Sequence, residues 1–139
     1  MTDLTILSTG IAEVFADKND VFDMIAAEAI TAGQITYQTT AGKAGVADAN
    51  ASGKQQARGL ALYDTPAGKP CACLRKGYVS GFDLSGVAYD GPVYLSDTAG
   101  KLADGAGTMT VNVGRVESLN DSDLTKVLFV DFDHLRTWS

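Results

Sequence analysis

The only histidine of the chain, His134, is the first residue to consider for catalysis. In a hydrolytic triad, a histidine accepts the proton of a nucleophile and a carboxylate orients the imidazole ring. Asp131 and Asp133 lie next to His134 in the sequence and could serve as that carboxylate. A cluster of this kind is more often a solvated acidic edge than a catalytic dyad. We therefore expect no catalytic residues and predict that the chain is not an enzyme.

Acidic side chains elsewhere raise two further possibilities. Asn120, Asp121 and Asp123 fall within Ser118–Leu124 and carry the oxygen ligands that Ca²⁺ prefers. The glycine and glutamate positions of an EF-hand are absent, so a plain loop is the better interpretation. Glu28 and Glu117 could in principle form the carboxylate pair of a glycosidase, but such a pair is defined by its spatial separation. Nothing in the sequence nominates them.

The two cysteines, Cys71 and Cys73, are two residues apart on a predicted strand and so share one face. Neighbours on one side of a strand lack the geometry that a disulfide prefers. A metal site would need more ligands than Cys-Ala-Cys, and His134 is distant in sequence. We expect small core residues, and we predict neither a metal nor a cofactor.

Composition limits the class of protein. With 139 residues, 45% of them hydrophobic, the chain fits one compact domain. Its net charge of −6, with no basic run beyond the short Leu74–Gly77, disfavours nucleic acid as a partner. No segment approaches the ~18 consecutive apolar residues of a membrane helix, and the first residues lack the features of a secretory signal. We expect a soluble protein made in the cytoplasm, with no membrane partner.

Two stretches of the sequence repeat each other. "TAGQITYQTTAGK", from Thr31, and "YDGPVYLSDTAGK", from Tyr89, each place two glycines nine positions apart and end in Thr-Ala-Gly-Lys. That tetrapeptide suits a tight turn after a strand, whereas a phosphate-binding loop would require a different motif before a helix. The repeat predicts that Thr31–Asp64 and Tyr89–Leu119 are duplicated hairpin units that superpose.

Short strands separated by turn residues predict an all-β fold, a single small antiparallel barrel or sandwich. Between the two units, Gly68–Gly86 contains an alternating apolar and polar run that ends near Lys76-Gly77 and resumes at Tyr78, which indicates a hairpin. Lys126–Phe132 is apolar on both faces and is typical of a central strand. Val21–Ile30 favours strand, with helix as an alternative.

The order of several motifs resembles the capsid decoration, or cement, proteins of tailed bacteriophages, a family that includes head-fibre-like proteins. The resemblance covers Ala27–Asp131 and is carried by "AEAITAGQITY…TAGK…ADAN", "ARGLALYDTPAGKPCACLRKGYVSGFDLSG" and "YDGPVYLSDTAGKLADGAGT…VGRVES…KVLFVD". It implies a β-rich domain on the outer surface of the virion that stabilises joints between major capsid protein subunits. It brings no catalytic residues.

The segments outside the resemblance define the remaining organisation. We predict an N-terminal arm over residues 1–20, a β-rich core over 21–131 and a C-terminal tail over 132–139. Apolar residues in both ends predict burial of the arm against a capsid protein or another copy, in a dimer or trimer, rather than against its own barrel. An ordinary edge strand is the alternative. The expected interface residues are Leu4, Ile6, Leu7, Ile11, Val14, Phe15 and Trp138.

Another binding function is compatible with this sequence. A carbohydrate- or receptor-binding domain of a phage fibre would use flat aromatic faces, which Tyr63, Tyr78, Tyr89 and Tyr94 could supply. Strand tyrosines more often pack across strands. The decoration function is therefore the preferred hypothesis.

Overall fold

The computed structural model describes residues 2–138 and is all-β, as predicted. Met1 of the predicted arm and Ser139 of the predicted tail lie outside the described residues. The strands are β1 (Ala12–Val14), β2 (Asp20–Ile25), β3 (Ile35–Gln38), β4 (Ala44–Val46), β5 (Ala57–Ala61), β6 (Pro70–Ser80), β7 (Pro92–Leu95), β8 (Leu102–Ala103), β9 (Asn112–Ser118) and β10 (Lys126–Asp131). One 3-10 turn covers Ala16–Lys18. Among the described residues, no helix has the length and apolar character needed to cross a membrane.

The strands form one antiparallel sheet that curls into a half-barrel. Its order is β4-β3-β5-β6-β10-β9-β7-β8, and β1 and β2 both pair with β6 outside this path. On one edge of β6, β2 pairs with the first part of the strand and β1 pairs with its end. On the opposite edge, β5 pairs with the first part and β10 pairs with the end. β6 is therefore the strand that joins the two halves of the sheet.

The two repeated stretches occupy equivalent positions. β3 pairs with β4 and β5, and β7 pairs with β8 and β9. Both units carry the same β-bulge, because the register between β3 and β5 skips Arg58 and that between β7 and β9 skips Val113. Gly42 and Gly100 lie in the matching hairpin turns with φ of 81° and 77°. The predicted duplication of the hairpin unit is confirmed.

The predicted hairpin over Gly68–Gly86 is wrong, because Pro70–Ser80 is a single strand of eleven residues. Gly77 does not reverse the chain. A Cβ at this position would overlap the side-chain oxygen of Asn19, so the glycine leaves room for the segment between β1 and β2. The signal that suggested a turn marks a close approach of another segment.

Where β5 pairs with β6, the two faces of the sheet are buried against two different clusters. Leu60 and Leu74 face the main core inside the half-barrel. Ala61, Cys71 and Cys73 face a second, smaller core. The second core closes because β2 curls over the sheet and Ala27 N donates a hydrogen bond to Ala44 O at 2.8 Å. Val21–Ile30 thus begins as a strand, as the sequence favoured, and Ala26 and Ile30 at its end pack into the second core.

β10 is a central strand, as its sequence predicts, with one face in the main core and the other partly buried. Leu128 and Val130 belong to the main core, and Val127, on the opposite face, is 3% exposed. Pairing with β6 and β9 on its two sides places β10 in the middle of the sheet. This position explains why its sequence is almost continuously apolar.

Candidate interaction surface

Residues 2–7, here called the N-terminal strand, run along the edge of β8 and the loop after β6. Leu4 N donates to Leu102 O at 2.8 Å, and Asp104 N donates to Thr2 O at 3.0 Å. Further along, Asp83 N donates to Thr5 O at 2.8 Å and Leu7 N donates to Gly81 O at 2.6 Å. The backbone of this segment therefore covers an edge that β8 would otherwise present to solvent.

Two of the expected interface residues are instead core residues. Leu4 is 9% exposed and Trp138 is 3% exposed, and both belong to the main core. The prediction that the arm packs away from its own barrel is wrong for Leu4. Its side chain fills the barrel because the main chain around it is fixed to β8.

The neighbouring residues Ile6 and Leu7 remain at the surface, with exposures of 43% and 44%. Ile6 lies over Gly33, where a Cβ would come within 2.7 Å of the Ile6 Cδ1 atom. Ile11 reaches the same glycine and packs partly against the main core. We call Ile6, Leu7 and Ile11 the N-terminal patch. A cleft of about 240 Å³ lies beside it and includes Gln34 and Phe82 in its walls.

A tight turn links the N-terminal strand to β1. Gly10 N donates to Leu7 O at 2.9 Å, and Gly10 has φ of 79°. Ser8 and Thr9 at its tip are exposed. Gly81 packs directly against the Gly10 backbone, and a side chain on Gly81 would overlap it. The path of the turn therefore depends on two glycines.

Val14 and Phe15, the last two expected interface residues, are half-buried on the outer face of the sheet. The ring of Phe15 meets Tyr78 edge-on with centroids 5.5 Å apart, and Tyr78 contacts Phe129 at 5.1 Å. Phe15 has φ of 55°, which is uncommon for a residue with a side chain. The contact between Phe15 and Tyr78 therefore holds the end of β1 against β6 and β10.

The C-terminal segment docks on β5 through Arg58. Its guanidinium donates to Asp133 O at 2.8 Å and to Arg136 O at 2.9 Å, and lies 5.7 Å from the Trp138 ring centroid. The side chain of Gln56 makes two hydrogen bonds to the backbone of Trp138. Its Oε1 atom accepts from Trp138 N and its Nε2 atom donates to Trp138 O, each at 2.8 Å. Burial lowers the pKa of Arg58, and nearby Asp133 partly opposes this. The predicted tail is thus held by specific contacts.

His134 is exposed, and it also helps to hold the C-terminal segment against β5. Its Nε2 atom lies 2.8 Å from Arg58 O, and its ring meets Phe22 edge-on at 5.0 Å. Asp133 accepts a hydrogen bond from Leu135 N at 3.0 Å, which stabilises its own turn. The neighbouring carboxylate is therefore engaged by the local backbone.

The acidic loop uses its oxygens to hold its own shape. Asn120 Oδ1 accepts hydrogen bonds from the backbone of Ser122 and Asp123. Asp123 Oδ1 accepts from Thr125 N and Oγ1, and these bonds lower the pKa of Asp123. Within residues 2–138, no three His, Cys, Asp or Glu side chains are grouped so that they could hold a metal ion.

The carboxylates Glu28 and Glu117 serve separate elements. Glu28 Oε2 accepts from Val46 N at 3.3 Å. Glu117 lies on β9 beside Arg115, with Glu117 Oε2 and Arg115 Nη2 2.8 Å apart, and it accepts a hydrogen bond from the Tyr78 hydroxyl at 3.4 Å. Glu28 thus contacts β4, and Glu117 contacts its own strand and, across β10, the side chain of Tyr78 on β6.

Cys71 and Cys73 are free, fully buried thiols in the second core, as expected from their position on one strand face. The Cys73 thiol donates towards Cys71 Sγ at 3.8 Å. This hydrogen bond, together with burial, raises the pKa of Cys73 far above its ordinary value. Both sulfurs therefore act as small packing groups.

The four tyrosines considered for ligand binding do not form one platform. Tyr78 packs between two phenylalanines, and Tyr94 is half-buried on β7. Tyr89 donates its hydroxyl to Leu124 O and lies under the ammonium of Lys126 at 5.4 Å. Tyr63 is 63% exposed.

Sequence reasoning missed Asn19 and Arg58, because a single polar residue in a loop or at a bulge carries no periodic signal.

No protein-family model matches the sequence, and comparison with curated proteins finds no match. The N-terminal strand and its patch are therefore the features of the molecule from which a function is inferred.

Proposed function

We propose that this chain is a capsid decoration protein that binds the outer surface of a tailed-phage head and stabilises the joints between major capsid protein subunits. The observation that carries the proposal is the N-terminal strand, which fixes Leu4 in the core and leaves Ile6 and Leu7 exposed beside it. Apolar side chains on a rigid edge can bind a partner without the entropy cost of ordering a loose arm.

The rest of the molecule is suited to such a role. A decoration protein acts by mass action, because it adds contacts to the assembled shell that free subunits lack. The net charge of −6 is compatible with an outer surface that does not touch packaged DNA.

Cosedimentation with heads assembled from the major capsid protein of the same genome tests the proposal. The wild-type chain should bind and raise the temperature at which the heads rupture. The double variant Ile6→Ser/Leu7→Ser should remain folded and lose most of this binding. Val21→Ser/Ile25→Ser is the matched control, since Val21 and Ile25 are 40% and 41% exposed on another strand. Failure of the wild-type chain to bind, or equal binding by all three proteins, would contradict the proposal.

Binding of carbohydrate is the competing function, and the exposed ring of Tyr63 is the feature that favours it. An exposed aromatic face can stack on a sugar. A glycan array probed with the wild-type chain and with Tyr63→Ala would distinguish the two. A signal that depends on Tyr63 would favour the carbohydrate function over decoration.

A further inference from the structure

We propose that the cleft beside the N-terminal patch binds a free amino acid that has an apolar side chain, such as leucine. The volume of the cleft is about 240 Å³, below the ~300 Å³ at which pockets for drug-sized ligands begin, so it suits a small ligand. Its walls come from the N-terminal strand, from both repeated units and from Phe82. The proposal goes beyond capsid binding and requires no capsid protein.

The cleft lies where the two repeated units meet, and backbone hydrogen bonds fix this seam. Gly100 N donates to Ala47 O at 2.7 Å, and Ile35 N donates to Gly100 O at 2.9 Å. Both backbone groups of Gly100 are therefore bonded to the first unit. The N-terminal strand forms another wall, since Leu4 N donates to Leu102 O at 2.8 Å. A ligand thus enters a preformed site and does not have to order its walls.

One part of the wall is apolar and partly exposed. Ile6 and Phe82 are direct partners across an antiparallel bridge, so their side chains lie next to each other. Phe82 is 6% exposed, whereas Ile6 is 43% exposed. An apolar ligand side chain placed against Ile6 would remove this surface from water, which favours binding.

Another part of the wall carries hydrogen-bond donors that the chain leaves free. Gln34 Oε1 accepts from Thr31 N at 2.9 Å, and the Nε2 atom of Gln34 has no partner within residues 2–138. Lys101 is exposed and forms no ion pair with the described residues. A carboxylate is the ligand group that accepts hydrogen bonds from an ammonium and an amide together.

Asp3 supplies the negative charge of the cleft. Ser96 Oγ accepts from Thr98 N at 2.9 Å, so its own proton is donated to Asp3 Oδ1. The second carboxylate oxygen of Asp3 has no hydrogen-bond partner in the described part of the chain. Because this charge shares the cleft with Lys101, a ligand with only a carboxylate would meet repulsion as well as attraction. An ammonium group beside Asp3 removes that conflict, so the charges of the cleft match a zwitterion.

An α-amino acid satisfies the three parts of the wall at once. Its carboxylate accepts from Lys101 and Gln34. Its ammonium group donates to Asp3, and its side chain packs against Ile6. A simple acid leaves Asp3 unpaired and a simple amine leaves Lys101 unpaired, and this difference is the basis of selectivity.

Amide resonances of the wild-type chain, followed by NMR during titration with L-leucine, test the site. The resonances of Gly33, Gln34 and Gly100, in the cleft wall, should shift to saturation. Isocaproate is leucine without its ammonium group, and isoamylamine is leucine without its carboxylate. Each should bind about tenfold more weakly than L-leucine, because each loses a charge-assisted hydrogen bond. No saturable shift with L-leucine, or an analogue that binds as tightly, would overturn the proposal.

The duplication of the hairpin unit provides a matched pair of variants. Lys101 and Lys43 end the same Thr-Ala-Gly-Lys turn and are both exposed, but Lys43 does not line the cleft. Lys101→Gln should weaken L-leucine binding about tenfold, and Lys43→Gln should leave it unchanged. Equal affinities of the two variants would contradict the site. Neither variant alters Ile6 or Leu7, so the outcome is separate from the test of capsid binding.

Discussion

The side-chain amide of Asn19 completes the hydrogen bonding of Tyr78 at the point where β1 and β2 meet along β6. Tyr78 N donates to Asn19 Oδ1 at 2.9 Å, and Asn19 Nδ2 donates to Tyr78 O at 3.2 Å. One side chain thus acts as a strand partner between two short strands. Gly77 provides the space for it.

Asn19→Ala should lower the free energy of unfolding by about 1–3 kcal/mol, because it leaves the Tyr78 backbone groups without partners. Urea unfolding measures the change. Asn50→Ala, at an exposed loop position, is the control and should have little effect. In the double variant Gly77→Ala/Asn19→Ala, the cost should be smaller than the sum of the single costs, since the new methyl group no longer meets the carboxamide. Additive costs would contradict the assigned contact.

Tyr78 predicts a loss of stability at alkaline pH. Burial, and then the negative charge of Glu117, raise the pKa of its phenol above the ordinary 10.0. The folded chain therefore keeps its proton while the unfolded chain loses it, so stability should fall as pH rises above 10. Tyr78→Phe should flatten this part of the pH profile, and Tyr63→Phe, at an exposed site, should not. Identical profiles for the two variants would contradict the shift.

The thiols of Cys71 and Cys73 should report global opening of the chain. The hydrogen bond from Cys73 lowers the pKa of Cys71 to about 7, which would favour reaction with a disulfide reagent if the sulfur were accessible. Both residues are 0% exposed, so labelling should be limited by unfolding and should accelerate with urea along with the loss of β-structure. A Ser85→Cys chain should label at once at the added site. Rapid labelling of the native wild type would contradict the closed second core.

Arg58→Ala should release the C-terminal segment and cost about 1–3 kcal/mol, because two carbonyl groups lose a charged donor. Trp138 is the only tryptophan, so its emission should shift to longer wavelength as the ring leaves the core. Arg58→Lys should rescue this only in part, since an ammonium lacks the planar guanidinium group that faces the Trp138 ring. Lys54→Ala is the control. Unchanged emission in Arg58→Ala would show that Trp138 is held by packing alone.

The sequence predicted the features that repeat or alternate. The two Thr-Ala-Gly-Lys turns, the all-β class and the buried last strand follow from local spacing and apolar pattern. Gly77 was misinterpreted as a turn, because a glycine required by a neighbouring segment looks the same in one dimension as a glycine required by a reversal. The burial of Leu4 and Trp138 depends on which edge remains uncovered after the sheet has formed. Pattern alone does not contain that information.

The position of β6 between the two hairpin units has a consequence for how the chain folds. Side chains of both units, such as Leu60 and Val93, share the main core, so neither unit can bury its apolar face until residues distant in sequence have met. Cutting the chain within β6 would remove a shared partner from both fragments at once. The duplicated halves therefore form a single cooperative unit, with slow, non-local folding and no stable half-molecule.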